Sequence, residues 1–425
     1  MNKYLPVILF IFILSINAQE IDTSRVEHAN ELDTQVDSLF KVIRRMDREL
    51  QQMRQSMVEG KPNVDELIAL LNDEDVETVS VDNRSRRKRV DALLKAITQR
   101  PGQLRLNGGT TAIMQSGGDG NNRHTTGVGS FDLYAHTSFG PQTLLFFDLE
   151  AIGGDGPDQF YPNFAGLNGD AGSTQDNNGI DRIRVLEAWT EFNLLNDILT
   201  VTAGKIDLTN YFDNNASAND ETMQFISGSF INSSALAVPA NAPGVHLRTT
   251  FINRYHFEFG LVNSRNSGAD LFNDIYKIAG LGFTALPATD FESNFRFYGY
   301  QHPLVENSGG WGVSFDKVML GEYNIFARYG QNEEKMARYW EIKSAWSIGT
   351  RFVRQISGQT TALGLAYGQN NPFKKNLQNE QILEFYARRQ LNKWTHLSPH
   401  LQILWNAAGS KEKLVIIGVR THFNF

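Results

Sequence analysis

The stretch that most constrains this chain is its last one, Lys413 to Phe425. Val415, Ile417, Val419, Thr421, Phe423 and Phe425 fall on one parity, and Ile416, Gly418, Arg420, His422 and Asn424 on the other. Side chains of a strand alternate between faces, so this stretch has one apolar and one mostly polar face. Such a strand suits a wall between lipid and water.

The same period recurs upstream. From Gln103 about sixteen alternating segments can be marked, near 103–115, 127–138, 143–153, 183–195, 198–206, 243–251, 255–263, 276–285, 291–301, 310–319, 322–331, 342–354, 361–369, 381–391, 395–406 and 413–425. In a membrane every backbone polar group needs a partner, and a closed barrel supplies one without leaving an edge. The expected fold is all-β: a transmembrane antiparallel β-barrel of about 16 strands over 103–425, wide enough for an aqueous channel. Phe423 and Phe425 resemble the C-terminal insertion signal of bacterial outer-membrane barrels. A soluble β-sandwich is the alternative, and the two-faced strands argue against it.

The formal net charge of −7 does not suggest a nucleic-acid partner. Hydrophobic content is 41%, and beyond the N-terminus no apolar run is long enough for a transmembrane helix. Cysteine is absent, which rules out disulfides, thiolate catalysis and Cys–zinc sites.

Residues 1–18 read as an export signal, with Lys3 as the positive start, Leu5 to Leu14 as the apolar core and Ala18 at the cut. In 19–61 the apolar residues Leu32, Val36, Leu39, Ile43, Met46, Leu50, Met53 and Met57 alternate steps of four and three. That is a heptad seam, so an N-terminal coiled-coil helix is expected before the barrel, roughly 40 Å long, in the periplasm, joining copies of the chain through 32–57. An amphipathic helix lying on its own barrel is the other reading. Residues 62–102 read as a helical, basic linker. Its cluster Arg84 to Arg89 is either solvated or in contact with anionic cell-wall polymers.

Clean alternation assigns faces. Leu145, Phe147 and Leu149 should meet lipid, with Asp148 and Glu150 in the lumen. Leu186, Ala188, Phe192 and Leu194 should meet lipid, with Glu187, Trp189 and Glu191 inside. Lumen acids (Asp132, Asp148, Glu150, Glu187, Glu191) come early, and lumen arginines (Arg296, Arg328, Arg351, Arg388, Arg420) come late. In a closed barrel they fall on different sectors, and a field across the pore suits a neutral polar solute. Trp189, flanked by carboxylates, could stack a sugar ring, or pack under a loop.

Two connections are long. Residues 154–181 hold Asp170, Asp176 and Asp181, but at a spacing unlike an EF-hand, so a flexible external loop is expected and no metal. Residues 207–242 carry enough apolar residues to pack, as a fold-back constriction or as an external cap. The run Ala203-Gly-Lys-Ile-Asp207, then Tyr211-Phe-Asp213, Ala218-Asn-Asp-Glu221 and Gln224-Phe225, resembles the carbohydrate-selective porin family (OprB-like). The resemblance implies a sixteen-stranded channel in the outer membrane of a Gram-negative-type bacterium, for sugars and similar small solutes. It points to Lys205, Asp207, Asn219, Asp220, Glu221, Gln224 and Phe225 as a structural or pore-lining set.

No HExxH, GxSxG or P-loop motif is present, so neither an enzyme nor a cofactor is expected. Competing readings are an anion or phosphate porin, and an envelope tether whose barrel is only an anchor.

Overall fold

In a computed structural model, the described residues are 102–425, apart from 119–121, 141, 173–181, 196–197, 252–253, 266–269, 288, 290 and 321. The export signal, the heptad segment and the basic linker lie outside them.

The chain closes into one antiparallel barrel of sixteen strands. They are β1 (Arg105–Gly118), β2 (Arg123–Ser138), β3 (Thr143–Gly154), β4 (Arg182–Leu194), β5 (Leu199–Ile206), β6 (Ala242–Phe251), β7 (Tyr255–Asn263) and β8 (Ile275–Ala285). Then come β9 (Ser293–Gln301), β10 (Gly309–Met319), β11 (Tyr323–Asn332), β12 (Ile342–Ile356), β13 (Gln359–Pro372), β14 (Glu380–Gln390), β15 (Thr395–Trp405) and β16 (Lys413–Asn424). Every strand pairs with its sequence neighbours, and β1 closes on β16. Each expected segment is a strand, although several ends move. β2 begins four residues earlier than the alternation indicated, and β13 extends beyond it at both ends.

Outward residues are apolar and exposed: Phe147, Phe257, Phe259, Leu281, Phe295, Phe297, Ile348, Leu365, Phe385 and Ile417. The inward parity mixes polar and charged residues, as a wet lumen requires, with buried apolar ones such as Phe146, Ile278, Phe326 and Ile382 that pack on the connections folded inside. Among the described residues no helix is long and apolar enough to cross a membrane. One end carries short turns and the other the long connections, which in such barrels are the periplasmic and external ends.

One face assignment fails. The β3–β4 register shifts between Asp148 and Leu149, so that Asp148 pairs with Glu187 but Leu149 pairs with Val185. The extra residue is Leu186, which is buried rather than lipid-facing. A bulge breaks the parity on which the assignment rested. It also turns Arg184 to the lumen, opposite Glu150.

The barrel seam ends on Phe425. Gly108 N donates to Phe425 O, and Phe425 N donates to Gly108 O, each at 3.1 Å. The Phe425 ring stacks on Phe131 at 5.7 Å. Gly108 is required there, since a Cβ would stand 2.1 Å from Asp132 O and 2.8 Å from the Phe425 ring. Deleting Phe425 removes two hydrogen bonds and a ring pair, about 2–4 kcal/mol together. The expected result is a lower melting temperature and a lower folded yield, read by heat-modifiable gel mobility. An unchanged melt would contradict the seam's role.

Candidate functional site

The lumen is where sequence and geometry converge. A connection left there must find partners for its own N–H and C=O groups. Residues 207–241 do fold into the barrel, and the wall supplies those partners.

Arg328 on β11 is the centre of the attachment. Its Nη1 donates to Phe230 O at 2.6 Å, and its Nη2 donates to Ala218 O at 2.6 Å and Asp213 O at 2.9 Å. Its Nε lies 3.2 Å from Asp213 Oδ2, with both side chains almost wholly buried. Three more arginines repeat the pattern from neighbouring strands. Arg351 donates to Ala216 O at 3.3 Å, Arg388 to Met223 O at 2.8 Å and Arg420 to Glu221 O at 2.6 Å. A guanidinium carries five N–H donors in a fixed fork, so one side chain can hold several carbonyls of an irregular backbone.

Glutamates hold the opposite groups. Glu384 accepts from Ile226 N at 2.7 Å and Ser227 N at 2.9 Å. Glu187 accepts from Asp207 N at 3.3 Å, Asn210 Nδ2 at 3.1 Å and Trp189 Nε1 at 3.1 Å. The loop is thus clamped at its start, its middle and its turn by charge-assisted bonds, the stronger kind.

The first long connection, expected as a flexible external loop, is folded over its described part. Leu167 and Ala165 are buried. Gln115 and Gln402 donate to Leu167 O, and Glu380 accepts from Phe164 N. The two connections bond directly: Gly169 N to Ile226 O, Gly228 N to Gly166 O and Ser229 N to Ala165 O, each at 2.8 Å. Asp158 accepts from Leu167 N and Asn168 N; burial still pushes its carboxyl above the usual range. Asp176 and Asp181 lie outside the described residues, and among those described no acidic group is arranged to hold a metal.

The signature residues mostly shape the loop itself. Asp207 Oδ1 accepts from Thr209 N and Oγ1, and Asp220 Oδ1 from Thr222 N and Oγ1. Gln224 accepts from Asn219 N and donates to Ala216 O. Phe225, fully buried, packs against Phe230, Phe326 and Tyr386. Glu221 lends its carbonyl to Arg420. Lys205 corrects the expectation: it shares the parity of Val201 and Ala203, pairs with Ala188, and donates to Val185 O at 2.7 Å. It therefore stands on the outward parity, away from the passage.

Trp189 is in the lumen but is no open platform. Its ring stacks on Phe146 at 4.8 Å and is 5% exposed. It is held in a cluster with Leu208, Tyr211 and Phe212, the packed alternative foreseen for it. The acids Asp148, Glu150, Glu187 and Glu191 do lie on the inner face of β3 and β4, opposite in strand order to the arginines of β11–β16. The separation into sectors is only partial: Arg184 stands beside Glu150 on the acid side, Arg296 on β9 pairs with Asp316, and Glu380 and Glu384 lie among the late arginines.

Arg184, Arg248, Glu258, Asp316 and His246 were not anticipated as lumen groups. On β3–β10, arginines pair across strands: Arg184 with Glu150 at 3.5 Å, Arg248 with Glu258 at 3.5 Å and Arg296 with Asp316 at 2.6 Å. His246, buried, lies 3.7 Å from Glu258 and stacks on Tyr211 of the loop at 3.8 Å. Beside it is a narrow cleft, with room for about one water, lined by Tyr211, Phe212, His256, Glu258 and Arg296, among others. Its lining sets aromatic faces beside charged donors and acceptors.

A closed sixteen-stranded antiparallel barrel with an apolar belt, a polar lumen and a connection clamped inside it defines a porin-type channel of the outer membrane. Residues 344–425 match the model of the carbohydrate-selective porin family, OprB. The high-pH structure of Pseudomonas putida OprB superposes with a TM-score of 0.60 at 12% identity, over 80% of this chain and 96% of that one. Its low-pH structure gives 0.52 at 10% identity, over 80% and 95%. An uncharacterized protein of Aquifex aeolicus (strain VF5) is 22% identical over 252 residues, 59% of this chain and 72% of the relative. Family match and fold together support an outer-membrane porin for carbohydrates.

Two predictions follow from the clamp. Arg328→Ala leaves Asp213 buried without its cation, a loss of about 3–5 kcal/mol. The expected outcome is a barrel that still forms, with protease cleavage within 207–241 and a larger single-channel conductance. Unaltered conductance and protection would show that the loop is held elsewhere. The second concerns Asp170. Burial, joined by the charges of Glu221, Asp132 and Glu150 and opposed by the Ser130 hydroxyl, pushes its carboxyl well above the usual range. A raised carboxyl pKa favours folding below the unfolded value, and that gain is lost as pH rises through the folded value. Asp170→Asn should therefore melt higher than the parent near neutral pH, with the difference shrinking in acid. A variant that melts lower at neutral pH would contradict this.

Proposed function

We propose that this chain lets carbohydrates and similar small polar solutes diffuse passively through a water-filled lumen narrowed by residues 207–241. The observation that carries the reading is the clamp. Four wall arginines and two wall glutamates fix a folded connection inside the barrel, so the free cross-section is set by protein and not by barrel diameter alone. Wall polar groups exchange hydrogen bonds with solute hydroxyls and compensate the lost hydration. The cleft lined by Tyr211, Phe212, Glu258 and Arg296 offers aromatic and charged groups in reach of one another.

An anion or phosphate pore would use its arginines as facing cations. Arg328, Arg351, Arg388 and Arg420 instead donate to loop carbonyls, and Arg184, Arg248 and Arg296 each stand beside a carboxylate. This favours neutral solutes. The fold and the family point to a channel and not to an enzyme. The heptad segment 32–57 would join copies of the chain on the periplasmic side.

Purified full chain in liposomes should admit neutral mono- and disaccharides, read by osmotic swelling. In planar bilayers its conductance should be weakly ion-selective and fall when sugar is added. Strong anion preference would favour the phosphate-type reading. Absence of both flux and conductance would overturn the channel and favour an anchoring role.

A further inference from the structure

On the short-turn end of the wall, three outward residues share one rung. Arg354 of β12 pairs with Thr361 of β13, and Thr361 pairs with Arg389 of β14. Neighbouring strands stand about 4.8 Å apart, so the two arginine backbones are about 10 Å apart, and both side chains reach the space over Thr361. Both arginines are exposed. Arg354 Nε has Glu322 Oε1 at 3.7 Å, between largely exposed side chains, an ion pair of little strength in water. Arg389 Nε donates to neutral Gln359 at 2.8 Å. Thr361 Oγ1, between them, is buried and has no hydrogen-bond partner.

The surroundings are graded. Beyond the rung at the turn end is Trp394, exposed, with Lys393 Nζ 5.0 Å from its ring centroid. A tryptophan there is placed as interfacial residues are. In the other direction the next outward rung is apolar: Phe352, Leu363 and Ala387. Two guanidiniums and an unused hydroxyl therefore stand at the edge of a hydrocarbon-facing strip. Guanidinium forks match phosphate oxygens, and a hydroxyl can donate to a third oxygen. A free anion would use the cations and leave the strip idle. A phosphate joined to acyl chains uses both.

We propose that the outward rung Arg354–Thr361–Arg389 is a phospholipid site that holds the headgroup phosphate, with acyl chains along Phe352, Leu363 and Ala387. The site rests on the reading of this barrel as membrane-spanning. It takes an anionic headgroup in preference to a zwitterionic one, because two cations face one phosphate. Its place at the short-turn end puts it in the periplasmic leaflet. It lies outside the solute passage, so its loss leaves conductance unchanged.

The test uses the full chain reconstituted in vesicles of equal phosphatidylglycerol and phosphatidylcholine, then extracted for native mass spectrometry. The expected result is selective retention of phosphatidylglycerol by the parent. Retention should fall by about an order of magnitude in Arg354→Gln/Arg389→Gln and persist in Lys375→Gln/Lys411→Gln, a control at the other rim. Conductance should be equal in all three. Equal retention of both lipids by the parent, or undiminished phosphatidylglycerol in the arginine variant, would overturn the site. Displacement of the lipid by inorganic phosphate alone would assign the rung to a free anion and overturn it also. A chain that never enters the vesicles would overturn the membrane reading, and this site with it.

Discussion

A barrel lumen can hold an irregular segment only if the wall meets that segment's backbone polar groups, since an unmet buried group costs as much as a hydrogen bond gains. Here the wall meets them with charge. Arg328 donates to three loop carbonyls, and Glu384 accepts from two consecutive loop N–H groups. The arginines are long enough to cross from wall to loop, and their planar donors need no matching secondary structure. Asp213 completes the arrangement. Burial pushes its carboxyl up against the opposing pull of Arg328, so the pair is a specific fit and not a surplus of attraction.

The barrel's two halves consequently do different work. β11–β16 hold the loop from Asp213 to Phe230, while Glu187 of β4 holds its start, and the inner apolar residues of β11–β16 form a second packed region with Phe225 and Phe230. β3–β10 keep cross-strand ion pairs, each a carboxylate backed by a guanidinium. A solute there meets alternating donors and acceptors with little net field, which suits hydroxyl-rich neutral molecules better than ions of either sign.

Much of this was legible in the sequence. Period-two alternation placed all sixteen strands and put Arg328, Arg351, Arg388 and Arg420 on the inner face. It failed at Leu186, where a bulge shifts parity without any Gly or Pro to announce it; at Lys205 it was the family resemblance that suggested the pore, while alternation alone puts that residue on the outward parity with Val201 and Ala203. The partners of the arginines were not legible, because a bond from Arg420 to Glu221 spans half the chain and leaves no local pattern. A local signal did exist within the loop. Asp207-Leu-Thr209 and Asp220-Glu-Thr222 are the Asp-x-Thr spacing in which a carboxylate caps its own turn, and both do so. That spacing marks a loop with its own structure, as opposed to a flexible one. Trp189 was ambiguous for a different reason. Alternation gives a side chain's face but not what covers it.

The central claim is that residues 207–241 sit fixed within the barrel while solute passes beside them. Ser229 and Asn370 bring it to one measurement, because Asn370 Nδ2 donates to Ser229 Oγ at 3.1 Å across loop and wall and the chain has no cysteine of its own. In Ser229→Cys/Asn370→Cys the account predicts a disulfide under mild oxidation and a single-channel conductance equal before and after reduction. A pair that fails to cross-link in the folded barrel, or a cross-link that changes conductance, would contradict it.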